Sequence, residues 1–272
     1  IVYSLVSSTS IAALFMAGVI PGLLWALACL VVVYLYARRQ PGKLKSTDRV
    51  TLKQALVVIW RAVPSLLMIV VVIGGILTGE FTATESASIA VVYCLVLSFI
   101  YRSIRVRELP TILVDAGRTT AIVMLLVAVS TALSFVMSVA RIPNIISEAV
   151  LGFTDSPVVV LLLMMVVLLL VGTFMDPTPA ILIFVPIFLP IVTTFGVDPV
   201  HFGAMVVMNL SLGVITPPIG NVLFVGSRIA RLRIEPVISK LWPFLFAILA
   251  MLLLVVFVPQ ISTWLPTITG LM

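Results

Sequence analysis

Two stretches of this chain put oxygen ligands where the neighbouring residues are almost all apolar. "GTFMDPTPA", from Gly172 to Ala180, carries Thr173, Asp176 and Thr178 around Pro177 and Pro179. "LSLGVITPPIGNVLF", from Leu210, carries Gly213, Thr216, Pro217, Pro218, Gly220 and Asn221, with Asn209 just ahead of it. Proline lacks an N–H and restricts the residue before it, so neither stretch suits continuous helix. Where backbone leaves a helix its carbonyls are freed, and hydroxyl and carboxylate oxygens add to them. Hard cations favour such all-oxygen shells. We therefore expect Gly172, Thr173, Asp176, Gly213 and Thr216 to form a Na+ site. Thr178, Asn209, Pro217, Gly220 and Asn221 complete the expected binding region. A helix restarting at Pro217 would also offer the positive end of its dipole to an anion.

Each assignment has a structural rival. Asp176 could cap a hairpin by bonding N–H groups at its own turn. Thr216, Pro217 and Pro218 could form a kink, although Gly213 and Gly220 on either side favour a site. Asn209 and Asn221 fit interhelical hydrogen bonding as well as ligand binding. Thr82-x-x-Glu85 reads as a capping box, a structural role. His201, after "GVDP", reads as a loop histidine, and Gly74 and Gly75 as close helix packing.

The elements that carry these stretches belong to a membrane. The chain is 62% hydrophobic and 10% charged, with mean hydropathy +1.33. A soluble domain of 272 residues could not bury that much apolar side chain. The net charge of +6 then belongs to loops, and nucleic-acid binding is not expected. Cys29 and Cys94 read as small buried hydrophobes. Long apolar runs span 12–36, 63–78, 86–101, 119–139 and 241–258. An amphipathic segment, 52–61, suits the interface. The runs 158–173 and 178–194 are short and read as a re-entrant hairpin with its tip at Met175–Pro177. The run 202–230 is interrupted at Thr216–Pro218.

Basic residues orient the scheme. Arg38, Arg39, Lys43, Lys45, Arg49 and Lys53 mark one cytoplasmic loop. Arg102, Arg105 and Arg107 mark a second, and Arg228, Arg231 and Arg233 a third. The count of crossings between them agrees if the hairpin returns to the outer side.

The stretch from Ile1 also aligns with that from Leu223 at an offset of 222 residues, which superposes Pro21 on Pro243. Both then read as a short helix end, a linker, a proline and a long apolar span. Basic residues follow the short helix in one copy and the long span in the other, as two copies of opposite orientation require. The expected fold is thus all-α, a polytopic membrane protein with inverted repeats, a re-entrant hairpin and broken helices. Residues 1–10 end a first-repeat broken helix whose upstream part is expected outside this sequence. Residues 11–155 form a scaffold or arm and the start of the second repeat. Residues 156–232 carry the hairpin and broken helix, and 233–272 an arm and the last span.

Broken helices at depth build sites in secondary transporters. "GTFMDPTPAILIFVPIFLPIV", "GVDPVHFGAMVVMNLSLGVITPPIGNVLFV" and "GGILTGEFTATESASIAVVY" resemble the large, DctM-like membrane subunit of TRAP (tripartite ATP-independent periplasmic) transporters. The resemblance runs over nearly the whole chain, corresponding to the C-terminal portion of that subunit; Ala83 stands where the family usually has proline. It implies sodium-driven uptake of small organic acids across a bacterial inner membrane and an elevator-like transport domain. It also implies a small membrane subunit and a periplasmic binding protein as partners. No organic cofactor is expected. The acid could be a sialic acid, a C4-dicarboxylate or another small acid. The alternative is an ion channel, or a secondary transporter that works without a binding protein. An enzyme is not expected: there is one histidine, and neither HExxH nor GxSxG occurs.

Overall fold

The computed structural model describes residues 1–39, 51–141, 145, 148, 156–217, 220–230 and 232–272. All regular structure among them is helical, and seven helices are long and apolar enough to cross a membrane. The chain divides into two compact units, one of residues 1–39 with 124–272 and the other of residues 40–123.

In the larger unit, a short helix α1 (Val2–Ser7) is followed by the long α2 (Ile11–Arg39). The smaller unit holds α3 (Leu52–Leu77) and α4 (Ala83–Ile100). Helix α5 (Leu109–Val139) starts in the smaller unit and ends in the larger. The larger unit continues with α6 (Pro157–Phe174), α7 (Pro177–Thr194), α8 (Pro199–Gly213) and α9 (Asn221–Ala230). It closes with α10 (Ile234–Phe257) and α11 (Gln260–Ile268). That last helix lies beyond the expected final span, 241–258. Pro259 precedes it and supplies the helical φ that lets it begin.

The apolar core of the larger unit is made by α6, α7, α8 and α10, with Tyr3 of α1. Met164, Leu168, Ile191, Phe202, Met205, Leu210 and Leu252 are fully buried. Most of α8 is buried, and by length it is short: 15 residues rise about 22 Å, less than the roughly 30 Å hydrocarbon core. Its start is fixed by sequence. Asp198 caps it, bonding the Val200 and His201 amides at 2.7 and 3.2 Å, and Pro199 supplies the first turn. His201 is therefore not in a loop. It sits in the first turn of α8, 1% exposed, with Nδ1 2.7 Å from Ser262 Oγ of α11. The hydroxyl of Tyr3 donates to the carbonyl of Pro199, so α1 and α11 both hold the same turn.

Tyr36, near the end of α2, lies under the ammonium of Lys240, near the start of α10, at 5.6 Å. The end of one long helix thus meets the beginning of the other. Each follows a short helix, and each carries an internal proline, Pro21 and Pro243.

In the smaller unit, residues 52–61 do not form a separate interfacial segment. They open α3, which continues through Pro64 to Leu77. Proline removes one helix bond, and the phenol of Tyr93 in α4 donates to the Pro64 carbonyl at 2.6 Å. The capping box at Thr82 is formed: Glu85 Oε2 accepts from the Thr82 amide at 2.7 Å, and the Glu85 amide donates to Thr82 Oγ1 at 3.2 Å. Gly75 does make room, but for the ring of Phe81 in the turn after its own helix, while Gly74 has open space. Cys94 is exposed beside the sulfur of Met68, and Cys29 is half-buried, so neither is the buried hydrophobe expected.

Candidate ion and substrate site

The hairpin α6–α7 turns over two residues, Met175 and Asp176, both extended. Proline at Pro177 forces the restart, because it fits a first helical turn and not an interior. The second break is longer than expected. Helix α8 ends at Gly213, and α9 begins at Asn221. Thus the helix does not restart at Pro217. Gly220 stands immediately ahead of α9 with φ +50, a left-handed conformation that a right-handed helix cannot include. Pro218 and Ile219 lie outside the described residues, as does the side chain of Asn221.

The two breaks meet. A Cβ built on Gly213 would lie 2.7 Å from both the Cα and the carbonyl carbon of Gly172. One built on Gly172 would lie 3.1 Å from the Gly213 Cα. The amide of Gly220 donates to the carbonyl of Thr173 at 3.2 Å. A Cβ on Gly220 would meet the carbonyl oxygens of Thr216 and Val214 at 3.0 and 3.1 Å. Backbone oxygens from the hairpin tip and from the break are therefore gathered around three glycines. The absence of three side chains permits it.

One turn before Gly213, Asn209 is fully buried and its Nδ2 donates to the Met165 carbonyl at 2.8 Å. Met165 is two turns before Gly172. The helices α6 and α8 thus touch at Met165–Asn209 and again at Gly172–Gly213, and both run toward the breaks. Their carbonyl ends converge, which concentrates partial negative charge there. The Oδ1 of Asn209 is buried with no hydrogen-bond partner. The structure therefore gives Asn209 an interhelical bond and leaves an acceptor over.

The two threonine hydroxyls are oriented alike. Thr173, 4% exposed, donates to the Leu170 carbonyl at 2.7 Å, and Thr216 donates to the Leu212 carbonyl at 2.7 Å. With each proton committed to its own helix, the oxygen lone pairs remain to accept or to ligate. The Gly213 carbonyl already accepts from the Thr216 amide at 2.9 Å. It has one lone pair left.

Asp176 is exposed at the hairpin tip, at the N-cap of α7. Its side chain makes no capping bond. The reason is local: Pro177 and Pro179 have no N–H, leaving Thr178 alone to be capped among the first three residues. Thr178 is half-buried. Among the described residues no three His, Cys, Asp or Glu side chains cluster, so the chemistry available is that of carbonyls, hydroxyls and single polar groups. That set suits a hard cation.

Proline and glycine mark the existence of both breaks in the sequence, though not the full extent of the second. A glycine at the end of each apolar run, Gly172 and Gly213, is the local signal for the contact between them. The anchoring of α8 by Tyr3 and Ser262 has no local signal.

Comparison with known proteins gives an independent result. Residues 1–261 match the family model of the tripartite ATP-independent periplasmic transporter, DctM component. The chain is 47% identical over 269 residues to the uncharacterized protein YgiK of Salmonella typhimurium, covering 98% of this chain and 61% of that protein. It is 39% identical over 272 residues to the C4-dicarboxylate TRAP transporter large permease protein DctM of Pseudomonas aeruginosa, covering 100% and 63%. It is 34% identical over 272 residues to the sialic acid TRAP transporter large permease protein SiaM of Vibrio cholerae, covering 98% and 62%. The chain thus spans about three fifths of the length of these relatives.

Proposed function

Because this chain belongs to the DctM component family of tripartite ATP-independent periplasmic transporters, we propose that it forms part of a sodium-coupled permease that imports a small organic acid. The observation that carries this is the meeting of the hairpin tip with the helix break through Gly172, Gly213 and Gly220. Helix α8 is too short to cross a bilayer alone, so a helix of its length that starts at one surface ends within the hydrocarbon. Irregular backbone there is tolerated when it is enclosed by protein or lines a polar cavity.

In this reading sodium is the coupling ion. The carbonyl ends of α6 and α8 supply the negative end of two dipoles, and Thr173 and Thr216 supply hydroxyl oxygens. Gly172 and Gly213 keep the two backbones close enough to share one ion. Asp176 adds the one formal negative charge of the tip. The acid binds beside the ion, near Thr178 and the start of α9 at Asn221, where amide N–H groups face a carboxylate. A periplasmic binding protein delivers the acid, and a small membrane subunit completes the permease in a bacterial inner membrane. The hairpin and broken helix move together as an elevator, with the inverted repeats as the basis of alternating access. Named relatives take acids as different as C4-dicarboxylates and sialic acid. We assign this chain the class of small carboxylates.

The test is uptake by the reconstituted full-length permease with its partners. Uptake should require an inward sodium gradient. Equal uptake in potassium with a proton gradient would refute sodium coupling, and ion flux without substrate would mark a channel.

A further inference from the structure

The contact between Tyr36 and Lys240 fixes more than the pairing of α2 with α10. It brings the last turn of α2, with exposed Arg38 and Arg39, beside the start of α10, with exposed Arg233 at its N-cap. Arg39 is three residues beyond Tyr36, on the same helix face and about 4.5 Å further along the axis. Arg233 is seven residues before Lys240, about two turns, and falls on the same side as Lys240. Four cationic side chains from two helices therefore collect at one end of the seam. Glu235 is the single described acid in the first turn of α10, and Arg38, Arg39 and Arg233 make no ion pair with a described residue.

Below the cations the seam is apolar and open. Val33 is 49% exposed one turn under Tyr36, and Pro243 is exposed one turn under Lys240. Tyr34 and Trp242 are exposed at the same depth, as aromatic side chains are where hydrocarbon gives way to headgroups. The Tyr36 ring holds the Lys240 ammonium by a cation–π contact, yet the ammonium keeps its N–H donors and the phenol its O–H. Cations above, a donor pair at the level of the glycerol and apolar walls beneath match one class of molecule.

We propose that the seam between the end of α2 and the start of α10 binds an anionic phospholipid. Its phosphate lies among Arg39, Lys240 and Arg233, and its acyl chain runs down past Val33 and Pro243. Surface cations attract anionic lipids generally. A seam with cations on both sides and a held ammonium adds a fixed position to that attraction. The lipid would clamp α2 to α10 at the end where charge repulsion otherwise pushes them apart. This proposal does not depend on sodium coupling.

The experiment is native mass spectrometry of the full-length permease in detergent, titrated with phosphatidylglycerol or with phosphatidylcholine. The wild type should bind one phosphatidylglycerol at least tenfold more tightly than phosphatidylcholine. Arg39→Gln and Lys240→Gln should each weaken that binding three- to tenfold, whereas Arg102→Gln, which removes the same charge from another basic loop, should not. Retained helical circular dichroism checks that each variant is folded. Equal binding of the two lipids would overturn the proposal. So would undiminished phosphatidylglycerol binding in both seam variants, or an equal loss in Arg102→Gln, which would reduce the effect to net charge.

Discussion

Gly172 of the hairpin and Gly213 of the broken helix are in backbone-to-backbone contact, with 2.7 Å between a Cβ placed on Gly213 and the Gly172 Cα. Real Cβ atoms do not approach backbone so closely, so this contact exists because both residues lack one. It also sets how near the carbonyl ends of α6 and α8 can come, and hence whether one ion can be shared between them.

Gly213→Ala should therefore be the most damaging small substitution in this region. Backbone must move to admit the methyl, and overpacking of this kind costs about 1–3 kcal/mol. Gly172→Ala, with 3.1 Å to backbone, should cost less. Gly203→Ala meets the Tyr3 ring at 2.5 Å and the Leu14 methyl at 2.8 Å, side chains that can yield, and should fall between them and Gly226→Ala. Gly226 has open space and its substitution should be neutral. Thermal unfolding in detergent gives the order. A neutral Gly213→Ala would mean the helices are not in contact.

Asn209→Leu removes the bond to Met165 and leaves a carbonyl that keeps its helix partner. It also removes a buried oxygen that has no partner. The two effects oppose each other, so stability should change by less than about 1.5 kcal/mol. Under the proposed function sodium affinity should nevertheless fall, because the register of α6 on α8 is no longer pinned. Measuring both separates them: unchanged sodium dependence with lower stability would make Asn209 a structural tie alone.

Asp176→Ala should leave expression and unfolding near normal, because the carboxylate is exposed at the hairpin tip. Under the proposed function it should raise the sodium concentration needed for half-maximal uptake, and Asp176→Asn should raise it less. Loss of folded protein in Asp176→Ala would indicate a role in forming the hairpin instead.

Ser262→Ala should destabilise the protein by about 1–3 kcal/mol, the cost of leaving a buried polar group unmatched. It strips His201 of its partner at Nδ1, and Nε2 already has none. Ser262→Ala combined with His201→Leu should recover part of the loss, since the pair is then replaced by apolar groups. A thermal-unfolding cycle over the four proteins reads the coupling. Additive losses would show that α11 is not held to α8 through this contact.

Much of this architecture could be read from residue order because proline and glycine act locally. Pro177 after Asp176 marks the hairpin tip whatever surrounds it, and Pro217–Pro218 marks an interruption. The point at which α9 resumes was misplaced by four residues. A proline suits a helix start, but Gly220 takes a left-handed φ that postpones it. His201, expected in a loop, lies in a helix because Asp198–Pro199 spells a cap and first turn. The histidine that follows is then the third residue of a helix. The join at residues 61–63 was misread for the opposite reason: Arg61 and Pro64 resemble a boundary, yet a single missing bond does not end a helix in apolar surroundings. The contacts of Gly172 with Gly213, Asn209 with Met165 and Tyr36 with Lys240 join segments far apart in sequence. Local preference carries no record of them.

The glycine contact also limits how this protein can vary. When two side chains press together in a core, enlargement of one can be matched by trimming the other. At Gly172 and Gly213 there is nothing left to trim on either side. A genetic screen for restorers of a Gly213→Ala strain should return no compensating change at position 172. It should return changes that shift one helix along the other, such as substitutions at Leu210 of α8, whose Cα and side chain stand 3.4 Å from where a Cβ on Gly172 would lie. The two positions would then be lost or kept independently, each intolerant by itself, and a search for covarying pairs would pass over this backbone-to-backbone contact.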